Sequence, residues 1–322
     1  MSTTTALDLF AGTGWGVACH DLGIEEQGVE LMPEAVASRE AAGMTTLYRD
    51  VWEGLESSDS MDYDLLIASP PCQTFSAAGA GAGRKALDTV LSLIDQGAYH
   101  RLADLKAFGE THDPKTALVL TPLAHVARDT PRLVVWEQVP PVLPVWEAAA
   151  VKMREMGYSV VTGIVNAEQY GVPQTRRRAI LVARWDAEAK LPIPTYSRYY
   201  SRDPKRLDDG VLPWVSMAEA LGGGMEPGGF RWEMRPEIEA WGDTSLPAPT
   251  VAGDSRLPRR GYRKGTERQM DGALRLTAEE AAVLQSYPAN FPFQGTKTKR
   301  FLQIGNAVPP LLARAILAEV TS

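Results

Sequence analysis

One of the chain's two cysteines, Cys72, sits behind two prolines in the stretch Ser69-Pro70-Pro71-Cys72-Gln73-Thr74-Phe75-Ser76, just after the apolar run Leu65-Leu66-Ile67-Ala68. A free thiol has a pKa of ~8.5, so only a few per cent is thiolate at neutral pH without help. The preceding prolines restrict the backbone, and the end of a strand is the rim where α/β proteins bind ligands. From these residues alone two readings stay open: a nucleophile on a rigid perch, or a small buried thiol.

A second stretch with chemical potential is Asp8-Leu9-Phe10-Ala11-Gly12-Thr13-Gly14-Trp15-Gly16, which puts glycines directly after a first strand. Glycine lets the backbone approach a nucleotide-like ligand closely. The spacing is not that of the dinucleotide fingerprint, so no pyrophosphate cradle is expected. Glu30 ends a second strand, where a carboxylate can accept both ribose hydroxyls, and Asp50 follows a third short strand, where it can accept from an adenine amino group. An adenosine cofactor without phosphates fits these parts, which points to S-adenosyl-L-methionine.

The elements that must position these residues are legible from hydrophobic patterning. Thr5 to Phe10, Gln27 to Leu31, Leu65 to Ala68, Leu133 to Trp136, Tyr158 to Val161 and Arg178 to Ala183 read as short strands alternating with helical segments. That alternation predicts an α/β fold with a parallel sheet. Beyond about Trp185 proline and glycine become frequent and periodicity fades, until Leu276 to Leu284 restores a helical pattern capped by Thr277 and Glu280. The expected organisation is a large domain over residues 1–185, a small loop-rich domain over 186–271, and a return to the large domain over 272–322.

Composition narrows the class. The 322 residues are 44% hydrophobic and 23% charged, enough for a sizeable core and unlike a disordered chain. No signal peptide, membrane run, disulfide framework or cysteine zinc site is expected, which predicts a cytoplasmic protein without metal. A net charge of −7 argues against a general polyanion binder, yet the charge is uneven. Arg256, Arg259, Arg260 and Arg263 surround Tyr262, and Arg198, Arg202, Lys205 and Arg206 interleave with Tyr196, Tyr199 and Tyr200.

Four further segments complete a pattern: Pro70-Pro71-Cys72-Gln73, Trp136-Glu137-Gln138-Val139-Pro140, Gln174-Thr175-Arg176-Arg177-Arg178, and Gln303-Ile304-Gly305-Asn306-Ala307-Val308-Pro309-Pro310. In this order, after a loop of the DLFAGTG type, they resemble the DNA cytosine-5 methyltransferase family. The resemblance spans nearly the whole chain apart from the loop-rich module. It implies a Rossmann-like class I S-adenosylmethionine methyltransferase sheet with helices on both faces, plus a small target-recognition domain.

The resemblance also implies roles. Cys72 would add to C6 of cytosine, turning C5 into a nucleophile for the methyl group. Glu137 would contact N3 and the exocyclic amine, while Arg176 and Arg178 would bind the O2 edge or orient Glu137. Phe10, Gly12, Gly14, Glu30, Leu31, Asp50, Val51, Pro70, Asn306 and Ala307 would hold the cofactor. The target base must be flipped out of the duplex. Ser76 and Arg84, in the small-residue loop after Cys72, would touch the DNA strand, as would Arg256, Arg259, Arg260 and Arg263. The partner is double-stranded DNA, the chain acts as a monomer, and a separately acting cognate restriction endonuclease is compatible with the family. Alternatives of the same fold are a tRNA cytosine methylase and a non-catalytic DNA-binding relative. One departure stands out: the family commonly has asparagine where this chain has Gln138.

Overall fold

Runs of aliphatic residues without an intervening polar position make strands that must be covered on both faces. β4 (Leu65–Ala68) and β5 (Leu133–Gln138) are such runs, buried along their whole length. They lie at the centre of a seven-stranded sheet with β1 (Thr5–Leu9), β2 (Glu25–Val29), β3 (Thr45–Tyr48), β6 (Ser159–Asn166) and β7 (Arg177–Arg184), ordered β3-β2-β1-β4-β5-β7-β6. The computed structural model describes residues 4–57, 62–71, 87–222, 236–241, 244–257 and 273–322. The chain divides into two units. The first comprises Met1–Val165, Arg177–Pro192 and Arg314–Ser322, and the second Asn166–Arg176 and Ile193–Ala313.

Within the first unit, β3, β2, β1, β4 and β5 pair in parallel, and the strand order reverses between β1 and β4. Such a reversal opens a crevice at the carboxyl ends of the strands. The sheet is not wholly parallel as the alternation predicts: β7 runs antiparallel to β5, with Glu137 opposite Ile180 and Gln138 opposite Ala179. The residues between β6 and β7 are too few for a helical crossover, which a parallel return needs. Two strand ends also differ from expectation. Phe10 adopts a left-handed φ of 61° and terminates β1, and β2 stops at Val29, where its pairing with β3 slips by one residue.

Indole rings anchor the core beside β5. Trp136 packs on Trp146, from the helix Leu143–Glu155, with ring centroids 5.2 Å apart. Helices α1 (Gly14–Leu22), α2 (Pro33–Ala41) and α3 (Val51–Glu56) follow the first three strands. α3 is braced by the helix Thr121–Asp129, whose Arg128 donates to the Gly54 carbonyl and to Asp129. Burial pushes the Asp129 carboxyl up, but hydrogen bonds from His125, Arg128 and Tyr63 outweigh it and hold the pKa at about 2.

The second unit is organised by buried polar side chains. Gln174 donates through Nε2 to the Leu284 carbonyl at 2.9 Å and accepts from the Val251 N–H at 3.0 Å. Gln285 donates to the carbonyls of Ile304 and Ala307. The helix Ala278–Leu284 starts at Thr277 with the capping box expected from Glu280. The apolar stretch Lys297–Thr321 is mostly buried and is broken at Ala307 between two helices, as core helices are.

Gly305 lies where that stretch crosses the chain near Ala252. A Cβ there would stand 2.2 Å from the Ala252 carbonyl carbon and the Gly253 nitrogen, both backbone atoms that cannot swing aside. Gly305→Ala is therefore expected to destabilise the protein by about 1–3 kcal/mol, the usual cost of overpacking. A denaturant titration with unchanged midpoint would contradict this.

Candidate active site

Three strands of the first unit bring their carboxyl ends to one rim. β1 ends into Phe10 and the glycine loop, β4 into Ser69-Pro70-Pro71, and β5 into Glu137 and Gln138. The Trp15 indole, from α1, donates to Ser69 Oγ at 2.9 Å, and the Ser69 N–H donates to the Leu9 carbonyl at 3.2 Å. These bonds lock the first and fourth strand ends to each other.

Glu137 and Arg178 form the charged centre. Arg178 Nε lies 2.6 Å from Glu137 Oε1, with side-chain exposures of 11% and 5%. A contact this short in a desolvated place is a charge-assisted hydrogen bond, and removing either partner would leave a buried charge alone. Beside it, the Gln138 amide donates to the Pro70 carbonyl, and its oxygen accepts from the Val139 N–H. The residue that departs from the family pattern thus joins the end of β5 to the segment leading into Cys72. Cys72, Ser76, Arg84, Arg259, Arg260 and Arg263 lie outside the described residues.

Arg176 has different partners from Arg178. Its guanidinium is buried in the second unit, where Nη1 donates to the Val251 carbonyl at 3.1 Å and Nη2 to Gly305 and Ala307 at 2.9 and 3.0 Å. Asn306 and Ala307 belong to the same unit, at the end of the helix Lys297–Asn306. Arg256 is exposed and paired with Asp254 through Nε at 2.9 Å.

The cofactor residues predicted in the first unit gather on loops after β1, β2, β3 and β4. Glu30 accepts from the Gly12 N–H through Oε2 at 2.9 Å and from the Met32 N–H through Oε1 at 2.7 Å. A carboxylate has about four lone-pair sites, so this arrangement leaves acceptor capacity for two ribose hydroxyls. Asp50 caps α3, accepting from the Trp52 N–H at 3.1 Å, and Val51 is buried behind it. Arg49 binds the carbonyls of Glu30 and Leu31, tying the second loop to the third. Leu31 is left 67% exposed, an apolar wall suited to the face of a purine. Gly14 opens α1, and Pro70 is buried at the end of β4. Phe10 and Gly12 both hold left-handed backbone, with φ of 61° and 49°. For a non-glycine residue such as Phe10 this costs on the order of 1–3 kcal/mol and persists only where the surroundings enforce it.

Beneath this loop lies a polar cluster that hydrophobic patterning does not reveal. Asp8 is fully buried, and neither of its oxygens has a hydrogen-bond partner among the described residues. Arg39 of α2 is equally buried and paired with Glu26 of β2 at 2.7 Å. The one signal available from sequence is a lone arginine on the otherwise small or apolar buried face of α2, with Ala35, Val36 and Ser38.

The fold and this rim define an α/β methyltransferase. The structure superposes on a methyltransferase of Entamoeba histolytica, EhMeth, with a TM-score of 0.61 at 12% identity, covering 99% of this chain and 98% of that one. It superposes on the Dnmt2 methyltransferase of S. pombe with a TM-score of 0.63 at 15% identity, covering 98% of each. The model of the C-5 cytosine-specific DNA methylase family matches residues 110–322, and the chain belongs to that family. It is 29% identical to the type II methyltransferase M.AplI of Arthrospira platensis, over 99% of this chain and 86% of the relative. Its identity to the type II methyltransferase M1.HphI of Haemophilus parahaemolyticus is 27%, over 98% and 86%. The chain is a DNA cytosine methyltransferase, of a kind that uses S-adenosyl-L-methionine.

The Asp8 carboxyl supplies a pH test. Burial first, and then the carboxylates of Glu26 and Glu30, push its pKa well above the usual range, against the opposing pull of Arg39. The folded state therefore keeps a proton that the unfolded chain releases near pH ~3.9. Stability falls as pH rises from that value towards the raised native pKa, and the loss is constant beyond it. Asp8→Asn removes the titration, so its stability relative to the parent should increase as pH rises through this window. An equal difference at pH 4 and pH 8 in urea melts would refute the assignment.

Proposed function

We propose that the chain methylates C5 of a cytosine flipped out of double-stranded DNA, within a short specific sequence, through a covalent Cys72–C6 adduct. The observation that carries this reading is the Glu137–Arg178 contact next to Gln138, whose amide holds the carbonyl two residues before Cys72. The segment leading into Cys72, the Glu137 carboxyl and the Arg178 guanidinium are thereby linked across the ends of β4 and β5 and the start of β7.

The chemistry follows from those groups. Attack of the Cys72 thiolate on C6 forms a C–S bond and moves electron density onto N3 and O2. Glu137 is positioned to share a proton with N3, and Arg178 holds Glu137 while offering its remaining N–H groups to the O2 edge. When bound at the rim, S-adenosyl-L-methionine would supply an electrophilic methyl group to C5, its S–CH3 bond breaking to leave S-adenosylhomocysteine. Loss of the C5 proton to solvent then expels the thiolate, restoring the ring and the free cysteine. Glu30 would accept the ribose hydroxyls, Asp50 and the backbone at Val51 would meet the adenine, and Phe10, Leu31 and Pro70 would wall it. Gly12 and Gly14 would admit the remaining chain, with Asn306 and Ala307 completing the cofactor contacts.

Target reading belongs in this proposal to residues 186–271, with Arg256, Arg259, Arg260 and Arg263 contacting phosphates or guanine edges, and with Ser76 and Arg84 on the strand beside the flipped base. Its aromatic and basic interleaving supports that role. Arg176, bound to three carbonyls, acts by shaping the second unit rather than at the base.

Labelled methyl transfer to duplex DNA and to tRNA, followed by bisulfite sequencing of DNA from expressing cells, tests the proposal. Label only in tRNA would overturn it. Cys72→Ala should lose transfer while retaining DNA binding, and Glu137→Gln should lower kcat by roughly 10²–10⁴-fold, the span of general acid–base catalysis. Gln138→Leu should lower kcat by up to about 10²-fold through misplacement of Cys72, with cofactor affinity kept. An unchanged kcat would show that the Pro70 contact positions nothing.

A further inference from the structure

We propose that Arg39 is a positioning residue for cofactor binding, fixing Gly12 through its carbonyl while Glu30 fixes it through its N–H, so that the peptides on both sides of Gly12 are held. The inference rests on the reading above that the loop after β1 holds S-adenosyl-L-methionine.

Three observations lead to it. First, Arg39 is fully buried, and its fork is spent on a defined set of acceptors. Nε donates to Thr46 Oγ1 at 3.2 Å, and Nη2 to both Glu26 oxygens at 2.7 and 2.9 Å and to the Thr45 carbonyl at 2.7 Å. That leaves Nη1 for the Gly12 carbonyl at 3.1 Å. Second, the sequence makes room for this side chain. A Cβ on Gly28 would stand 2.2 Å from Arg39 Nη2, so β2 carries no side chain where the guanidinium passes. Third, the peptide it holds needs holding. Phe10 and Gly12 are both left-handed, and the Gly12 N–H is clamped by Glu30 Oε2 at 2.9 Å. The two peptide groups that flank the Gly12 Cα are thus gripped, the first at its N–H by a residue proposed to bind ribose and the second at its carbonyl by Arg39.

Stability alone is a poor explanation for the pair. A buried ion pair can commonly be replaced by apolar residues of similar volume without loss of stability, because desolvation offsets the attraction. What an apolar pair cannot do is donate to the Gly12 carbonyl. The forked guanidinium matters too, since a lysine ammonium can satisfy Glu26 but lacks the second arm.

The experiment uses the full chain and two variants, the double change Glu26→Met with Arg39→Met and the single change Arg39→Lys. Binding of S-adenosylhomocysteine is measured by calorimetry, and KM for S-adenosylmethionine, KM for DNA and kcat by methyl transfer. Both variants should raise the S-adenosylhomocysteine Kd and the S-adenosylmethionine KM about tenfold, the effect of one lost charge-assisted hydrogen bond. KM for DNA and kcat at saturating cofactor should stay within about twofold, since no group at the reacting base is touched. A folded variant with parental Kd and KM, its only change a lower melting temperature, overturns the proposal. Should the double variant fail to fold, Arg39→Lys decides alone, because it keeps a cation on Glu26. A parent protein that does not bind S-adenosylhomocysteine would instead count against the cofactor reading.

Discussion

Glu137 meets Arg178 because β7 runs backwards. Antiparallel to β5, β7 begins beside the strand end that carries Glu137, so its second residue arrives at the rim where the other strand ends converge. Were β7 parallel, its eight residues, rising ~3.3 Å each, would carry Arg178 to the far edge of the sheet, roughly 20 Å away. The contact also constrains the rest of the site. A polar group this buried is costly unless it is bonded, and the guanidinium supplies the partner that holds the carboxyl in place. Gln138, the next residue, then has a fixed backbone from which to reach Pro70.

The opposite half of the rim is built on a different principle. Around β1 the backbone itself is the binding element, and it is held in a conformation it would not choose. Phe10 turns left-handed directly after the strand, where its pairing ends and the glycine loop begins. The enforcing bonds come from the neighbouring strands and helix: the Ala11 N–H donates to the Val29 carbonyl, and the Gly12 N–H to Glu30. Glu137 and Arg178 are thus aligned by strand register, whereas the glycine loop is aligned by side chains that reach under and over it. The buried Asp8 below this loop is what such an arrangement leaves behind, a carboxyl whose pKa is raised first by burial and then by the Glu26 and Glu30 carboxylates, against the pull of Arg39.

Much of this was legible in the sequence, and the parts that were not share a cause. The strands, the capped helix at Thr277 and the order of motifs follow from local pattern, since burial on both faces and N-capping depend on residues near one another. The antiparallel β7 does not, because Arg178 to Ala183 has the same composition whichever way it runs. Leu31 reads as the last strand residue by hydrophobicity, yet β2 ends at Val29 and Leu31 lies exposed beyond it. The Arg39–Glu26 pair joins residues thirteen positions apart across a helix and a strand, and nothing in one dimension pairs them beyond the lone arginine on the buried face of α2. Gly28 carries a faint one, a glycine inside a strand, which signals a close approach.

The segment Gln174-Thr175-Arg176-Arg177-Arg178 shows how closely local chemistry can be divided. In extended backbone alternate residues face the same way, so Gln174, Arg176 and Arg178 form one series and the exposed Arg177 belongs to the other. Yet the members of that series are bound in different units. Gln174 and Arg176 are bound to carbonyls and an amide of the second unit, while Arg178 lies at the start of β7 in the first. Resemblance by motif gives Arg176 and Arg178 one role, because it matches residue types at a fixed spacing. Hydrogen-bond saturation separates them. A guanidinium already spent on Val251, Gly305 and Ala307 has little left to offer a base, whereas that of Arg178, bound to the Glu137 carboxylate and the Arg177 carbonyl, has fewer acceptors to serve among the described residues.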